Sequence, residues 1–247
     1  MKDYKKIITD IIYPPVCPVC GDVIPMAKRK PWYEGKPCYS AFLCAPCKGN
    51  LRFLEGNVCE KCGAETSPGK PLCNVCEEVA RCFASGKSIL AYDGVSRQMM
   101  MAFKYSGKRE YADFLTYAAA ERAGSWIQSL HLDAIVPVPI HPEKRKARGY
   151  NQAELLAQGI AAYTGVPMRD ILKRNKETNA SKELGLHSRV FNLKDAFSLK
   201  GPIPKGKRFL LVDDIYTTGV TMESCAELLL YEGNADAVYV LSLCSGK

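Results

Sequence analysis

Eight of the twelve cysteines fall into four C-x-x-C pairs: Cys17/Cys20, Cys44/Cys47, Cys59/Cys62 and Cys73/Cys76. Such a pair lets two thiolates meet one metal from a tight knuckle, and four thiolates at about 2.3 Å complete a tetrahedral zinc site. Four pairs therefore predict two structural zincs. The competing readings are disulfides and thioredoxin-like redox pairs, but the sequence shows no signal-peptide pattern and no βαβ context around any pair. Pairing in sequence order groups Cys17, Cys20, Cys44 and Cys47 at one site and Cys59, Cys62, Cys73 and Cys76 at the other. It is favoured over a cross-brace of first with third and second with fourth, which the spacing also admits. Cys38, Cys82, Cys225 and Cys244 fit no pair; the last two, in apolar periodic context, read as buried bystanders.

Residues 1–83 have little helical periodicity and only short apolar runs, so zinc has to supply fold energy that a core would otherwise provide. Residues 84–247 are long enough for one α/β domain of ordinary size. A reducing cytosol keeps thiolates available, and no apolar run reaches the ~20 residues of a membrane span. The expected location is cytoplasmic. The formal charge is +8, and each zinc held by four thiolates contributes −2, so two sites bring the balance to about +4. Distribution says more than the total. Ten Lys/Arg between Lys173 and Arg208 stand against Glu177, Glu183 and Asp195.

From Ser88 the texture changes. SILAY reads as a strand, Val95 to Tyr105 as a Met-rich amphipathic helix and Tyr111 to Leu130 as a longer helix. An apolar strand, Asp133 to Pro139, leads into a basic loop, HPEKRKARGYNQ, and then a helix through Thr164 that Gly165 stops. Beyond the basic segment come a strand from Arg208 to Val212, a helix ending near Gly233 and the strand AVYVLSL. Strands alternating with helices, each apolar without strict alternation, predict a parallel sheet covered on both faces.

The segment FLLVDDIYTTGVT, Phe209 to Thr221, carries the chemistry. A buried strand delivers Asp213 and Asp214 to the carboxyl edge of the sheet, where open α/β sheets bind ligands. Thr217, Thr218, Gly219, Val220 and Thr221 then offer successive N–H groups and hydroxyls to a phosphate, with a helix dipole behind them. Carboxylates beside a phosphate site suit the vicinal hydroxyls of a sugar, and a 5-phosphoribosyl group has both parts. Two competing readings are a plain helix cap and the acid of a nucleotide hydrolase. The hydrolase reading needs a phosphate loop, and its nearest candidate, GPIPKGKR, ends in Arg and leads into a strand rather than a helix.

This segment closely resembles the phosphoribosyl-diphosphate (PRPP) binding motif of type I phosphoribosyltransferases, an apolar strand followed by D-D-x-x-x-T-G-x-T. The rest of the chain resembles the ComF family of late-competence proteins. The shared features are the eight-cysteine module, YDGVSRQMMMAFKYSGKREYADFL, VPVPIHPEKRKARGYNQAELLA and the spacing of Leu184, Arg189, Asn192, Ala196 and Phe197. The resemblance implies an α/β fold, a type I phosphoribosyltransferase-like parallel sheet with helices on both faces, preceded by a cysteine-rich double zinc ribbon. It implies PRPP with magnesium as ligand, the ribose hydroxyls held by Asp213 and Asp214 directly or through Mg²⁺. Arg145, Lys146 and Arg148 would lie against the diphosphate, unless they form a solvated basic turn. The stretch from Arg174 to Arg189 matches a loop that closes over the reaction centre, which makes Arg189 a further candidate. Lys104 is either another phosphate contact or an exposed helix terminus. One departure is Ser181, where the family often carries Gln.

Three functions follow. The first is a competence accessory that binds PRPP and single-stranded DNA during DNA uptake, with competence-machinery proteins as partners of the zinc module. Tyr105, Tyr150 and Trp32 are its candidate stacking platforms. The second is an active transferase moving phosphoribose to a nucleobase or amine that no sequence feature names. The third is a zinc-ribbon adaptor with an inactive domain, disfavoured because both aspartates and the Thr-Thr-Gly-x-Thr loop are intact. Four intact knuckles predict about two zincs per purified chain; metal analysis under reducing conditions that returns one or none overturns the two-site assignment.

Overall fold

A computed structural model describes residues 43–107, 109, 111–176 and 196–246, together with 12, 14, 16, 17 and 19–24 and the backbone at 32–33 and 36–37. Cys38, Ser181, Leu184, Arg189, Asn192, most of the basic segment and the Trp32 side chain lie outside the described residues.

The first and third cysteine pairs adopt the same turn. Cys17 N–H donates to Asp22 O at 2.7 Å and Gly21 N–H to Cys17 O at 2.9 Å; Cys59 N–H donates to Ala64 O at 2.7 Å and Gly63 N–H to Cys59 O at 2.8 Å. Each turn is closed by an antiparallel bridge, Val16 with Val23 and Val58 with Glu65. Both depend on a glycine in the left-handed region, Gly21 at φ +81° and Gly63 at φ +74°, where a Cβ is costly. The second and fourth pairs instead open short helices, α1 (Ala45–Lys48) and α2 (Asn74–Glu78), so that Cys47 and Cys76 are buried within the first turn. The ribbon is thus one unit used twice. A two-residue antiparallel pair, β1 (Trp32–Tyr33) and β2 (Lys36–Pro37), lies between the first two knuckles.

The main sheet has four parallel strands in the order β3 (Gly86–Ala91), β8 (Ala237–Ser245), β7 (Arg208–Tyr216) and β4 (Ala134–Pro137). Between β3 and β4 run α3 (Gly94–Tyr105) and α4 (Tyr111–Ser129). After β4 come α5 (Pro142–Arg148) and α6 (Gln152–Thr164), which ends at Gly165 with φ +75°. A small antiparallel hairpin, β5 (Leu172–Arg174) with β6 (Phe197–Leu199), brackets residues 177–195. Helix α7 (Val220–Glu227) and a π-helical turn, Leu228–Glu232, connect β7 to β8. The expected basic loop after β4 is therefore a helix. Pro142 at its first turn and Gly149 at φ +79° just past its end are start and stop signals that outweigh the charge run between them.

Along β7 the side chains alternate between two cores. Leu210 and Val212 join Phe103, Leu115 and Leu156 of α3, α4 and α6 on one face. Phe209 and Leu211 join Met222 and Cys225 of α7 on the other. The ribbon enters both: Cys17, Ile24, Leu43 and Cys47 belong to the first core, Cys59, Cys62, Cys76 and Phe83 to the second. It also covers the β3 edge, where Leu54 N–H donates to Ile89 O and Ala91 N–H to Arg52 O, both at 2.9 Å. Residues 167–169 do the same for β4 through Ile135, so neither outer strand offers a bare edge for pairing.

The second ribbon unit touches β3 directly. A Cβ on Gly63 would stand 2.5 Å from Ser88 N and 2.6 Å from Lys87 Cα, whereas one on Gly21 would meet nothing within 4 Å. Gly21→Ala should therefore cost only the left-handed penalty, about 1–2 kcal/mol. Gly63→Ala should cost clearly more. Thermal melts of the two variants at equal zinc content check this; equal losses would mean that the knuckle is not seated on β3.

Candidate functional site

Strand β7 runs four residues further than the apolar stretch predicts, because its ladder to β8 continues through Asp213–Ser242, Ile215–Cys244 and Tyr216–Ser245. Asp213 and Asp214 are thus inside the strand, and as consecutive residues they leave opposite faces. Asp214, 8 % exposed, meets Lys104 Nζ at 2.9 Å. Asp213 accepts the Asp214 N–H at 2.8 Å and lies near Cys225 and Arg174 on the other side. Burial, and then the neighbouring Asp214 charge, lift the Asp213 carboxyl to about 7. Two adjacent carboxylates thereby avoid full mutual repulsion: one is neutralised by a lysine, the other has an affinity for protons near neutrality.

Lys104 stands in the last turn of α3, yet its side chain is only 17 % exposed, so it is not an exposed helix terminus. Burial works most strongly against its charge, but the Asp214 carboxylate, joined by Asp213, more than offsets it and holds its pKa above the ordinary lysine value. Arg148 is near enough to oppose that charge. Its guanidinium lies 5.1 Å above the Tyr105 ring and donates to Gln152 Oε1 at 3.3 Å. Arg145 turns to Glu154 at 2.9 Å and Lys146 is exposed. Of the three candidate cations on α5, Arg148 is the one whose charge reaches the Lys104–Asp214 pair. Tyr105 is 64 % exposed, while Tyr150 is 5 % exposed and donates its hydroxyl to Phe103 O at 2.5 Å. Tyr150 is a core residue and not a stacking platform.

After β7 the chain turns through Thr217 and Thr218 to Gly219, the N-cap of α7, at φ +73°. A side chain there would collide with the Tyr216 ring, so backbone alone faces outward. No side chain caps the first turn of α7, which leaves its leading N–H groups to other acceptors. From beneath, Arg81 Nη2 donates to Thr218 O at 2.5 Å, and Glu223 Oε1 accepts Cys82 N–H at 2.7 Å.

The cysteines gather in sequence order. Cys17, Cys20, Cys44 and Cys47 form one cluster and Cys59, Cys62, Cys73 and Cys76 the other, each with its sulfurs within 4.8 Å of one another. Cys20 and Cys44 are 3.6 Å apart, Cys62 and Cys73 3.8 Å. Zinc–sulfur bonds of about 2.3 Å in a tetrahedron require an edge of about 3.8 Å, so both clusters are compatible with structural zinc. A hydrogen bond with Cys62 is the largest influence on Cys76 and, with help from Cys73, Cys59 and Arg81, draws its thiol down to about 5. Cys225 and Cys244 are fully buried, outside both clusters.

Arg81 and Glu223 carry no motif and Tyr216 stands at a variable position of one; the contacts of Arg81 and Glu223 join segments more than a hundred residues apart, and the sequence offered no signal for these roles. The Lys104–Asp214 pair is open to direct test. Lys104→Met strands Asp214 in a partly buried position and should cost on the order of 3 kcal/mol. Adding Asp214→Asn should recover much of it, as read from denaturant melts of the three variants; an additive double variant would mean that the pair does not couple.

Residues 8–77 match the double zinc ribbon domain, and residues 147–245 match the phosphoribosyl transferase domain. Competence protein F of Haemophilus influenzae is 30 % identical over 210 residues, 76 % of this chain and 90 % of that one. Competence protein ComFC of Bacillus subtilis is 26 % identical over 85 % of this chain and 84 % of its own. DNA utilization protein YhgH of Escherichia coli is 28 % identical over 82 % and 96 % respectively. With the ribbon and the transferase fold each matched, and whole competence proteins aligned across both, the chain belongs to the ComF family.

Proposed function

We propose that this protein binds PRPP at the β7–α7 turn and serves as a cytoplasmic accessory of DNA uptake. The observation that carries the reading is the turn itself: an uncapped helix start behind a glycine that presents only backbone, next to a buried Asp214–Lys104 pair. In this reading the 5-phosphate takes the N–H groups and hydroxyls of Thr217, Thr218, Gly219, Val220 and Thr221. Asp213 and Asp214 hold the ribose hydroxyls or a magnesium ion. Oxygen donors of this kind suit Mg²⁺, which supplies charge neutralisation at the diphosphate when bound. Lys104 holds Asp214 in place, and Arg148, with Arg145, Lys146 and Arg189 as further candidates, takes the diphosphate.

Single-stranded DNA is the proposed macromolecular partner. The names of the relatives concern competence and DNA utilization, and Tyr105 offers an exposed ring with a guanidinium beside it. A base stacked there gains roughly 1–3 kcal/mol. Competence-machinery proteins remain the proposed partners of the ribbon. Among the described residues no helix is long and apolar enough to cross a membrane.

Calorimetry tests the ligand assignment. Asp213→Asn with Asp214→Asn keeps the shape of the strand and removes the charge. Charged hydrogen bonds contribute roughly 1.5–3 kcal/mol each, so PRPP affinity should fall at least about tenfold. Unchanged affinity in the folded double variant would make the pair a structural device and remove the phosphoribosyl reading. In fluorescence anisotropy, Tyr105→Ala should weaken the binding of a labelled oligonucleotide by about fivefold or more, and the affinity should drop steeply with salt.

A further inference from the structure

The second cysteine cluster and the phosphate-loop turn share a buried polar seam. Tyr216, 2 % exposed, stands directly before Thr217, and Arg81, 8 % exposed, follows the last knuckle by five residues. Of the four buried side-chain atoms without a hydrogen-bond partner among the described residues, three meet here: Arg81 Nε, Tyr216 Oη and Glu223 Oε2. A buried donor left unpaired is costly, and a native fold seldom tolerates several together. Cluster sulfurs are among the neighbours of both donors. Tyr216 lies beside Cys62, and Arg81 beside Cys76.

Thiolates on zinc keep lone pairs free, and the cluster as a whole carries a charge of −2, which favours N–H and O–H donors around it. The two orphaned donors therefore fit a metal-loaded cluster better than a set of neutral thiols. Each donor also reaches the loop. Arg81 Nη2 is bonded to Thr218 O, and the Tyr216 ring fills the space beneath Gly219.

We propose that Arg81 and Tyr216 complete the donor shell of the Cys59–Cys62–Cys73–Cys76 metal centre and thereby couple metal occupancy to the conformation of the phosphate loop. Metal at this centre holds Arg81 and Tyr216 in place, and they hold Thr218 and Gly219. Coupling of this kind is reciprocal: whatever the metal adds to ligand affinity, the ligand adds to metal affinity. The ligand half of the proposal rests on the phosphoribosyl reading above; the metal half does not. Arg81 and Tyr216 are positioning residues in this account and make no contact with the ligand.

The test is zinc release from the full, zinc-loaded chain to a chromogenic chelator, with and without PRPP and Mg²⁺. Tyr216→Phe keeps the ring under Gly219 and removes only the donor; Arg81→Met removes the fork. Each should speed the loss of one of the two zincs about tenfold or more and leave the other unchanged. In the unaltered protein, PRPP should slow that same zinc by about fivefold or more, and in Arg81→Met it should not. Should Arg81→Met lose its fold by circular dichroism, Arg81→Lys, which keeps the charge without the fork, takes its place. Unchanged release in Tyr216→Phe and the Arg81 variant overturns the proposal. PRPP that binds but leaves both zincs unaffected overturns the coupling. PRPP that fails to bind at all removes the phosphoribosyl reading, and the ligand-free rates of the variants still decide the donor shell.

Discussion

Four sulfurs within 4.8 Å of one another suit a tetrahedral metal ion, and much of this structure is arranged around the two such clusters. Among the described residues of the ribbon, the buried apolar side chains are shared with the sheet. Ile24 and Leu43 complete the core under α3 and α4, and Phe83 completes the one under α7. The ribbon therefore acts less as an appended module than as the cover of one sheet edge. Its hydrogen bonds to Ile89 and Ala91, and the approach of Gly63 to Ser88, need the knuckles to be rigid. Metal–thiolate bonds at the two clusters would provide that rigidity where helix or sheet could not.

The site follows from the parity of an extended strand. Asp213 and Asp214 are adjacent in sequence, and the expectation from the motif is of two carboxylates acting side by side. A strand sends neighbours to opposite faces, and each face answers differently. Lys104 from α3 compensates Asp214, while Asp213, with Cys225 behind it, holds its proton to about 7. The pair is asymmetric before any ligand arrives. A hydroxyl or a metal ion approaching from the carboxyl edge meets one carboxylate already engaged and one that is readily displaced from its proton.

Much of the architecture was legible because it depends on local rules. The knuckle spacing, the apolar strands, the stop at Gly165 and the turn residues of Phe209 to Thr221 each encode their own conformation. Sequence reading erred where one local rule hid another. The charges between Pro142 and Gly149 suggested a loop, although the proline and glycine mark a helix. Tyr150 follows a basic run and suggested a surface ring, but its hydroxyl is spent on Phe103. What could not be read at all is long-range: Arg81 meets Thr218 across 137 residues, and no spacing or composition records such a contact. The hairpin of β5 and β6 was missed because three-residue strands leave too short a pattern.

The order of the strands carries a consequence for how the molecule is made. Strand β8, the last in sequence, lies between β3 and β7, so β3 has no ladder to the β7–β4 pair until it arrives. During synthesis the ribbon can take up metal and close early, but it then waits with β3 as a half-built edge while some 150 further residues emerge. Contacts of such high sequence separation are slow to form and leave intermediates exposed. Metal bound at the knuckles would fasten the N-terminal unit while its apolar side chains still await the sheet, and would give the growing chain an anchor on which the sheet is assembled.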